Sequence, residues 1–457
     1  MKKYIHSEEF RIFMGETVGN AMGADAHFSK FEWQGMQAST DSFHAEGDGA
    51  LKFLRAEGIR ATVELGEVKN KIWKISGVRV SNLDLHINTS TEDSGTPAPA
   101  AGKPDEPAAA ASDEEPGFLA GLLPDKAVLD SADVSRLNLD LKTTNGFLKA
   151  DNMVALITTS TAVKGAYDVK LSEGLVRTSW FGSPLDLKSA RGRYADGRIF
   201  INAAEAKVYK RGQLTLEGEI EGDDFGFYGT LKDVRSEELV PANWQKRITG
   251  DLSTEFKVQS ARDGTILRGN LKLKRGVLTA LPILDRIAAY SNTRRFRRLD
   301  LSEATMKFRK QGDRLDLTEI VIASEGLIRV EGQITVVGDH LDGRFRVGIT
   351  PGTLAHIPGA ETKVFVRGER GLLWSPLRIT GTIDAPKEDL SNRMIAAAGE
   401  RMFELVPETG KMALKFAHDT ATELPSKAVE TGQDVLDEGT GIIGDGIQGV
   451  FDLIPSP

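Results

Sequence analysis

The side chains that most often carry out chemistry are scattered in this sequence. Seven histidines stand at positions 6, 27, 44, 86, 340, 356 and 418, and none lies at metal-ligand spacing from another. There are no cysteines, which excludes disulfides, thiol nucleophiles and cysteine-ligated zinc. Acidic pairs such as Asp223–Asp224 are typical of solvated turns rather than of a catalytic cleft. We therefore expect no metal and no cofactor, and we expect that the protein is not an enzyme.

One glycine pattern matches a dinucleotide-binding motif by its letters. Gly439, Gly441 and Gly444 have the required spacing. The chemistry also requires a strand before the glycines, so that a pyrophosphate meets the N-terminus of the following helix. A helical pattern precedes them instead, and we interpret this segment as a glycine-rich helical tail.

The sharpest cluster of charge is a run of four arginines around one phenylalanine, Arg294, Arg295, Arg297 and Arg298. A solvated loop is the ordinary interpretation of such a run. Contact with anionic lipid headgroups is the functional alternative, because each basic residue gains roughly 1 kcal/mol near an anionic surface. Nucleic acid is a third possibility. The net charge of −8 and the pI of about 5.6 disfavour it as the main role, because the chain has no global basic field.

The elements that would position these residues are predicted to be β-strands. Four segments alternate apolar and polar residues: 137–141, 214–220, 267–273 and 328–336. A period of two places every apolar side chain on one face of a sheet. The 47 glycines suit a protein rich in turns. Three Asp-Gly pairs, at 196–197, 263–264 and 342–343, predict hairpin turns, because such turns need positive φ angles.

Helical patterns interrupt the strands at three places. Ser7 is a predicted N-cap for a helix over residues 7–22, with Glu8 and Glu9 in its first turn. A second helix is predicted over residues 281–290, and amphipathic helices are predicted over 390–457. Residues 91–116 contain five prolines and many alanines without periodicity, which indicates a disordered insertion.

The predicted fold class is therefore mainly β, with a long curved antiparallel sheet forming a groove. The predicted domain organisation has four parts: 1–90 with the first helix and strands, the insertion 91–116, a continuous β-groove domain over 117–389, and the C-terminal helices with a glycine-rich tail over 390–457. No stretch approaches the roughly 20 apolar residues that span a bilayer.

The order of motifs over residues 250–389 resembles the C-terminal region of the AsmA-like family of bacterial envelope proteins. It comprises Gly276-Val-Leu278, the helix through Ala289, Phe296-Arg-Arg-Leu299, Gly326-Leu-Ile-Arg-Val330-Glu-Gly332 and Pro376-Leu-Arg-Ile379. Residues 7–87 are similar to the N-terminal helix and first strands of that family. The motifs are structural, and none carries a catalytic residue.

The resemblance implies a periplasmic body with a β-groove, attached to the inner membrane by an N-terminal anchor that lies outside this sequence. Proteins of the wider group are thought to carry lipids between membranes. The implied partners are a phospholipid or other acyl lipid, the inner membrane and other envelope proteins. This chain departs from the family in lacking the anchor, in being shorter than the bridge-forming members and in having the Pro/Ala-rich insertion.

Two hypotheses for function remain open. In the first, inward-facing residues form an apolar trough that holds acyl chains for lipid transport or outer-membrane biogenesis. The trough residues would be Leu214, Leu216, Ile220, Leu271, Leu273, Val330, Ile334, Phe345, Val347 and Ile349. In the second, the same residues are an ordinary sealed core, and the protein is a scaffold of envelope assembly without lipid cargo. In this second hypothesis the C-terminal helices would bind a partner, whereas in the first they would plug one end of the trough or lie on a membrane surface.

Overall fold

In the computed structural model, most of the described residues lie in strands. The described residues are 5–64, 72–90, 126–144, 146–179, 181–222, 224–239, 245–262, 264–279, 294–353, 359–383, 385–394 and 396–397. Within them the chain forms an α-helix of 15 residues, a short helical segment at 390–394 and 396–397, and 25 strands, and all but three of the strand pairings described are antiparallel. The predicted mainly β fold with a predominance of antiparallel pairing is confirmed.

Helix α1 covers Glu8–Met22. The strands of the first half are β1 Asp25–Phe28, β2 Phe31–Gln34, β3 Gln37–Glu46, β4 Leu51–Glu64, β5 Ile72–Val80, β6 Asn82–Asn88, β7 Lys126–Leu129, β8 Ser131–Thr143, β9 Gly146–Thr159, β10 Tyr167–Ser172, β11 Leu175–Thr178, β12 Phe181–Ala195 and β13 Arg198–Val208. Those of the second half are β14 Gly212–Glu221, β15 Asp224–Arg235, β16 Ile248–Ala261, β17 Gly264–Thr279, β18 Arg298–Asp300, β19 Glu303–Gln311, β20 Arg314–Ser324, β21 Ile328–Val337, β22 His340–Ile349, β23 Val366–Arg367, β24 Leu373–Thr382 and β25 Pro386–Glu388.

The chain forms two compact units. Of the described residues, unit 1 comprises those within 5–208 and 215–225, and unit 2 comprises those within 209–214 and 226–397. In unit 1, strands pair in the order β3, β4, then β5 and β6, then β7 and β8, then β9. The step from β5 and β6 to β7 and β8 is parallel, whereas the other steps are antiparallel. The two strands that flank the predicted insertion therefore point the same way, which a tight hairpin cannot achieve.

Helix α1 begins and ends as the sequence predicts. The side chain of Ser7 accepts a hydrogen bond from the Phe10 backbone N–H at 3.2 Å, and Gly23 ends the helix with a φ of 65°. Phe10 is buried together with Val63, against the half-buried Trp33. The helix lies against β1 because it carries glycine where it approaches the strand. A Cβ atom on Gly15 would lie 2.5 Å from the carbonyl oxygen of Ala26.

Unit 2 is an antiparallel meander whose strands pair in the order β15, β16, β17, β19, β20, β21, β22 and β24. Its longest strands are interrupted by bulges at residues with positive φ, Asp233, Arg275 and Glu319. A bulge bends its strand and increases the local twist. At the bulge in β17, Arg275 forms an ion pair with Asp251, which is only 4% exposed and also pairs with Arg211.

The Asp-Gly prediction is right at one hairpin and wrong at another. Asp196 and Gly197 both have positive φ in the turn between β12 and β13. Asp342 and Gly343 instead lie inside β22, and the neighbouring turn is formed by Gly338 and Asp339. Gly343 is needed for packing, because a Cβ atom there would lie 2.8 Å from the Phe345 ring.

Three predicted segments fall wholly or largely outside the described residues. They are the insertion 91–116, the internal helix 281–290 and most of the C-terminal region 390–457. Of the last, residues 390–394 and 396–397 are described and are helical, where the sequence predicts the start of a helix.

Candidate functional site

One face of the unit 2 sheet is apolar along a row of directly opposite residues. The register fixes this row, strand by strand, as Gly229, Phe256, Gly269, Phe308, Leu317, Ile334, Gly343 and Ile379. Strands lie about 4.8 Å apart, so the row crosses eight strands over about 34 Å. Because side chains alternate between faces, the residues two positions away on each strand share this apolar face.

Phenylalanine rings on this face lie over glycines of the neighbouring strand. A Cβ atom built on Gly229 would lie 2.8 Å from Cε2 of Phe256, and one on Gly269 would lie 2.7 Å from Cζ of Phe308. Each ring thus occupies the space that a side chain on the adjacent strand would otherwise fill. The rings therefore lie close to the sheet surface. Each one covers the backbone of the neighbouring glycine, which has no side chain of its own to cover it.

Several large apolar side chains around these rings are only half-buried. We call this part of the face the floor section. It consists of Gly229, Phe256, Val258, Leu267, Gly269, Leu271, Met306 and Phe308. The hydrophobic cluster that Leu267, Met306 and Phe308 join is formed by residues in strands or directly next to them, such as Leu315 and Val336. The floor section therefore retains apolar surface in contact with solvent.

The apolar face continues into a second part that is closed by segments outside the main strands. We call this part the capped section. It consists of Leu278, Phe296, Leu299, Leu327, Ile328, Val347, Ile349, Ala360, Val364, Phe365, Leu373, Leu377, Leu390 and Ala397. Phe296 comes from a 3₁₀ turn, Val364 from a short π-helix, and Ala397 from the helical turn after β25. Phe296, Ile349 and Phe365 are at most 1% exposed, so the capped section is an ordinary core.

The ten predicted trough residues divide equally between buried and half-buried positions. Leu214, Leu273, Ile334, Val347 and Ile349 are buried, whereas Leu216, Ile220, Leu271, Val330 and Phe345 are half-buried. The seven residues on β17, β21 and β22 share the apolar face of unit 2. The three on β14 share one face of that strand, and Leu216 and Ile220 belong to unit 1.

The predicted arginine cluster forms a 3₁₀ turn, Arg294–Arg297, that leads into β18. Phe296 anchors this turn in the capped section and is completely buried. Arg295, Arg297 and Arg298 are exposed, and Arg298 pairs with Asp300 at 3.3 Å. The geometry is compatible both with a solvated turn and with contact to a headgroup.

The opposite face of the same sheet is polar and carries ordered ion pairs. The guanidinium of Arg314 donates two hydrogen bonds to Asp316, at 2.8 and 2.9 Å, and these hold the pKa of Asp316 below its usual range. Burial alone would raise the pKa of Glu331. Hydrogen bonds from Arg329 and Arg346 outweigh that effect, so the pKa of Glu331 is lowered.

The most informative residues of the floor section are absent from the sequence-based prediction. Phe256, Phe308 and their glycine partners lie on four different strands, and only the register brings them together. A usable signal would have been an apolar position occupied by glycine on one strand and by phenylalanine on the next. The pairing of strands must be known before that signal can be seen.

No family model matches this chain, and neither a curated protein nor a solved structure matches it. Within the described ranges, none of the helices has the length and apolar character needed to cross a membrane. The described histidines and acidic residues contain no group of three or more that could hold a metal ion.

Proposed function

We propose that the protein binds acyl chains of a lipid along the floor section of the unit 2 sheet. The observation that carries this proposal is the pair of phenylalanine rings lying over glycines on adjacent strands. If Phe256 and Phe308 stood upright, they would fill the space above the strands. Lying low, they form an apolar surface wide enough to contact a long hydrocarbon.

Apolar contact is sufficient to hold such a ligand. Burying each methylene of an acyl chain contributes roughly 0.8 kcal/mol, without any directional polar contact. The half-buried Leu267, Leu271 and Met306 extend the surface on both sides of the two rings. The headgroup would remain at the polar margin of the face, where water solvates it.

The biological setting we propose is the bacterial periplasm, with a role in lipid transport or outer-membrane biogenesis. This part of the proposal rests on the resemblance of residues 250–389 to AsmA-like proteins. Envelope proteins and membrane lipids are the partners that such a role implies. The exposed arginines of the 3₁₀ turn could then contact anionic headgroups.

A second candidate function is that of a scaffold with a closed core. The capped section favours it, because Phe296 and Phe365 are sealed by neighbouring segments and leave no room for a ligand. Under this alternative the floor section would also be closed, and the purified protein would carry no lipid.

Native mass spectrometry of the protein purified from a bacterial host distinguishes the two. We expect bound phospholipid on the wild-type protein. The variant Met306→Asp places a carboxylate among the half-buried apolar side chains, so we expect it to lose most of that lipid. Met306→Gln, which is less disruptive, should retain an intermediate amount.

The matched control is Val337→Asp. Val337 is 41% exposed and lies on the polar face of β21, so its substitution adds the same charge away from the floor section. Circular dichroism would verify that each variant is folded. Wild-type protein without lipid, or equal loss of lipid in Met306→Asp and Val337→Asp, would contradict the proposal.

A further inference from the structure

Three cations stand directly opposite one another on the polar face of unit 2. Lys257 on β16 is opposite Arg268 on β17, and Arg268 is opposite Arg309 on β19. All three side chains are exposed. Like charges directly opposite across strands destabilise a sheet, so the sequence keeps this row at a cost to stability.

Two of the three acidic groups closest to the row are already paired with other cations. Asp316, which is directly opposite Arg309, accepts both hydrogen bonds of the Arg314 fork. Glu319 pairs with Lys307 at 2.7 Å. Glu255 lies on the same strand and face as Lys257, and its carboxylate accepts a hydrogen bond of 3.5 Å from the Asn270 amide.

The three cations are only partly neutralised. Arg309 donates to the neutral amide of Gln311 at 3.0 Å and interacts electrostatically with Asp316, which Arg314 already pairs. Across the described parts of the chain, neither Lys257 nor Arg268 forms an ion pair or a side-chain hydrogen bond. Positive potential is therefore concentrated at this row, although the whole chain carries a net charge of −8.

The row lines a concavity of about 710 Å³. Tyr228 borders it on one side, and Gln333 and Thr335 border it on the other. Its lining contains five cationic side chains and two anionic ones. Hydroxyl and amide groups next to free guanidinium groups can complete the hydrogen bonds of an anion.

We propose that this concavity is a binding site for a phosphate group. The planar forks of Arg268 and Arg309 suit two oxygens of one phosphate, and Lys257 adds a third charge-assisted hydrogen bond. A bound anion would also relieve the repulsion along the row. The phosphate belongs either to a soluble phosphorylated compound or to a phospholipid headgroup. The cationic row lies on the opposite face of the same strands from the floor-section side chains, although Phe256, Gly269 and Phe308 also border the concavity.

Isothermal titration calorimetry with pyrophosphate at low ionic strength tests the site directly. We expect the wild-type full-length protein to bind, and Arg268→Gln/Arg309→Gln to bind at least tenfold more weakly. The matched control is Arg60→Gln/Arg79→Gln, because these two arginines are also exposed and directly opposite, but lie in unit 1 outside the concavity. That control should bind within twofold of the wild type.

Sedimentation with vesicles separates the two sources of phosphate. Binding to phosphatidylglycerol vesicles that is lost in Arg268→Gln/Arg309→Gln and absent with phosphatidylcholine vesicles identifies a headgroup. Binding to pyrophosphate without binding to vesicles identifies a soluble compound.

The proposal is overturned if the wild type binds neither probe or if the control pair loses binding equally. It is also overturned if only a single-stranded oligonucleotide binds. Thermal melting confirms folding, and the tested variant should be at least as stable as the wild type.

Discussion

The floor section and the capped section share one apolar sheet face but have different surroundings. Both are built from strands in which apolar and polar residues alternate. In the capped section, a 3₁₀ turn, a π-helix and a helical turn add Phe296, Val364 and Ala397 above the strands. In the floor section the large rings lie on neighbouring glycines, and the apolar residues stay half-buried. The comparison teaches that an alternating pattern predicts an apolar face but not what covers it.

Truncation of a phenylalanine in each section should have the largest effect and should separate the two most clearly. Phe296 is completely buried, so we expect Phe296→Ala to lower the free energy of unfolding by about 3–5 kcal/mol. Phe308 is half-buried, and we expect Phe308→Ala to cost about half as much. Urea denaturation measures both. Equal losses would show that the floor section is a closed core.

Adding a methyl group to the glycine beneath a ring tests whether the low position of that ring in the floor section depends on the glycine. In Gly229→Ala the three atoms nearest to the new Cβ would be ring atoms of Phe256, so the ring must move. We expect a loss of about 1–3 kcal/mol, which is usual for overpacking, together with weaker lipid binding because the ring rises from the sheet.

The control for this substitution is Gly226→Ala on the same strand. A Cβ atom there would meet nothing within 4 Å, and the φ angle of Gly226 is not in the left-handed region. Its effect should be within about 0.5 kcal/mol, the range typical of surface substitutions. If both variants behave alike in urea denaturation and in lipid binding, the proposed role of the ring is wrong.

The ion pairs behind the two sections predict a smaller difference that depends on pH. Both Glu331 and Asp316 lie on the polar face of the sheet. Glu331 is on the reverse side of the strands that carry the capped section, Asp316 is on the reverse side next to the floor section, and both have lowered pKa values. A carboxylate with a lowered folded-state pKa stabilises the fold above its unfolded-state pKa, about 4.3 for Glu and 3.9 for Asp. That contribution is lost as the pH falls through the folded-state pKa.

The free energy of unfolding of the wild type should decrease as the pH falls. We expect Glu331→Gln to reduce this decrease more than Asp316→Asn does. The reason is that Glu331 is bound by two arginines, one of which, Arg329, has a side chain only 12% exposed. The partner of Asp316, Arg314, is 54% exposed and more strongly screened by water. Urea denaturation between pH 2.5 and pH 6, values chosen to bracket roughly the unperturbed carboxylate range, would measure both slopes.

The local features of the fold could be predicted from the sequence because they depend on neighbouring residues. Ser7 and the two glutamates after it define the start of α1, and the alternation of residues 328–336 defines β21. The turn at Asp196–Gly197 was predictable for the same reason.

Features that depend on register could not be predicted. Gly343 matches a turn pattern, yet it pairs with Ile334 and Ile379 inside β22, where the absence of a side chain leaves space for the Phe345 ring. Seven of the ten predicted trough residues share the apolar face of unit 2, but alternation does not distinguish the buried Ile349 from the half-buried Leu271. The low position of the Phe256 and Phe308 rings depends on the glycines opposite them, which are distant in sequence.

Site-specific photo-crosslinking tests the central claim most directly. A benzophenone-bearing phenylalanine analogue would replace Phe308 on the floor section or, in a separate protein, Val337 on the polar face, where Val337 is 41% exposed and lies outside the lining of the concavity. The two positions lie on opposite faces of one sheet. After irradiation in a bacterial host, we predict covalent lipid adducts at position 308 and none at position 337. Adducts at neither position, or equal yields at both, would contradict the claim that the apolar face holds acyl chains.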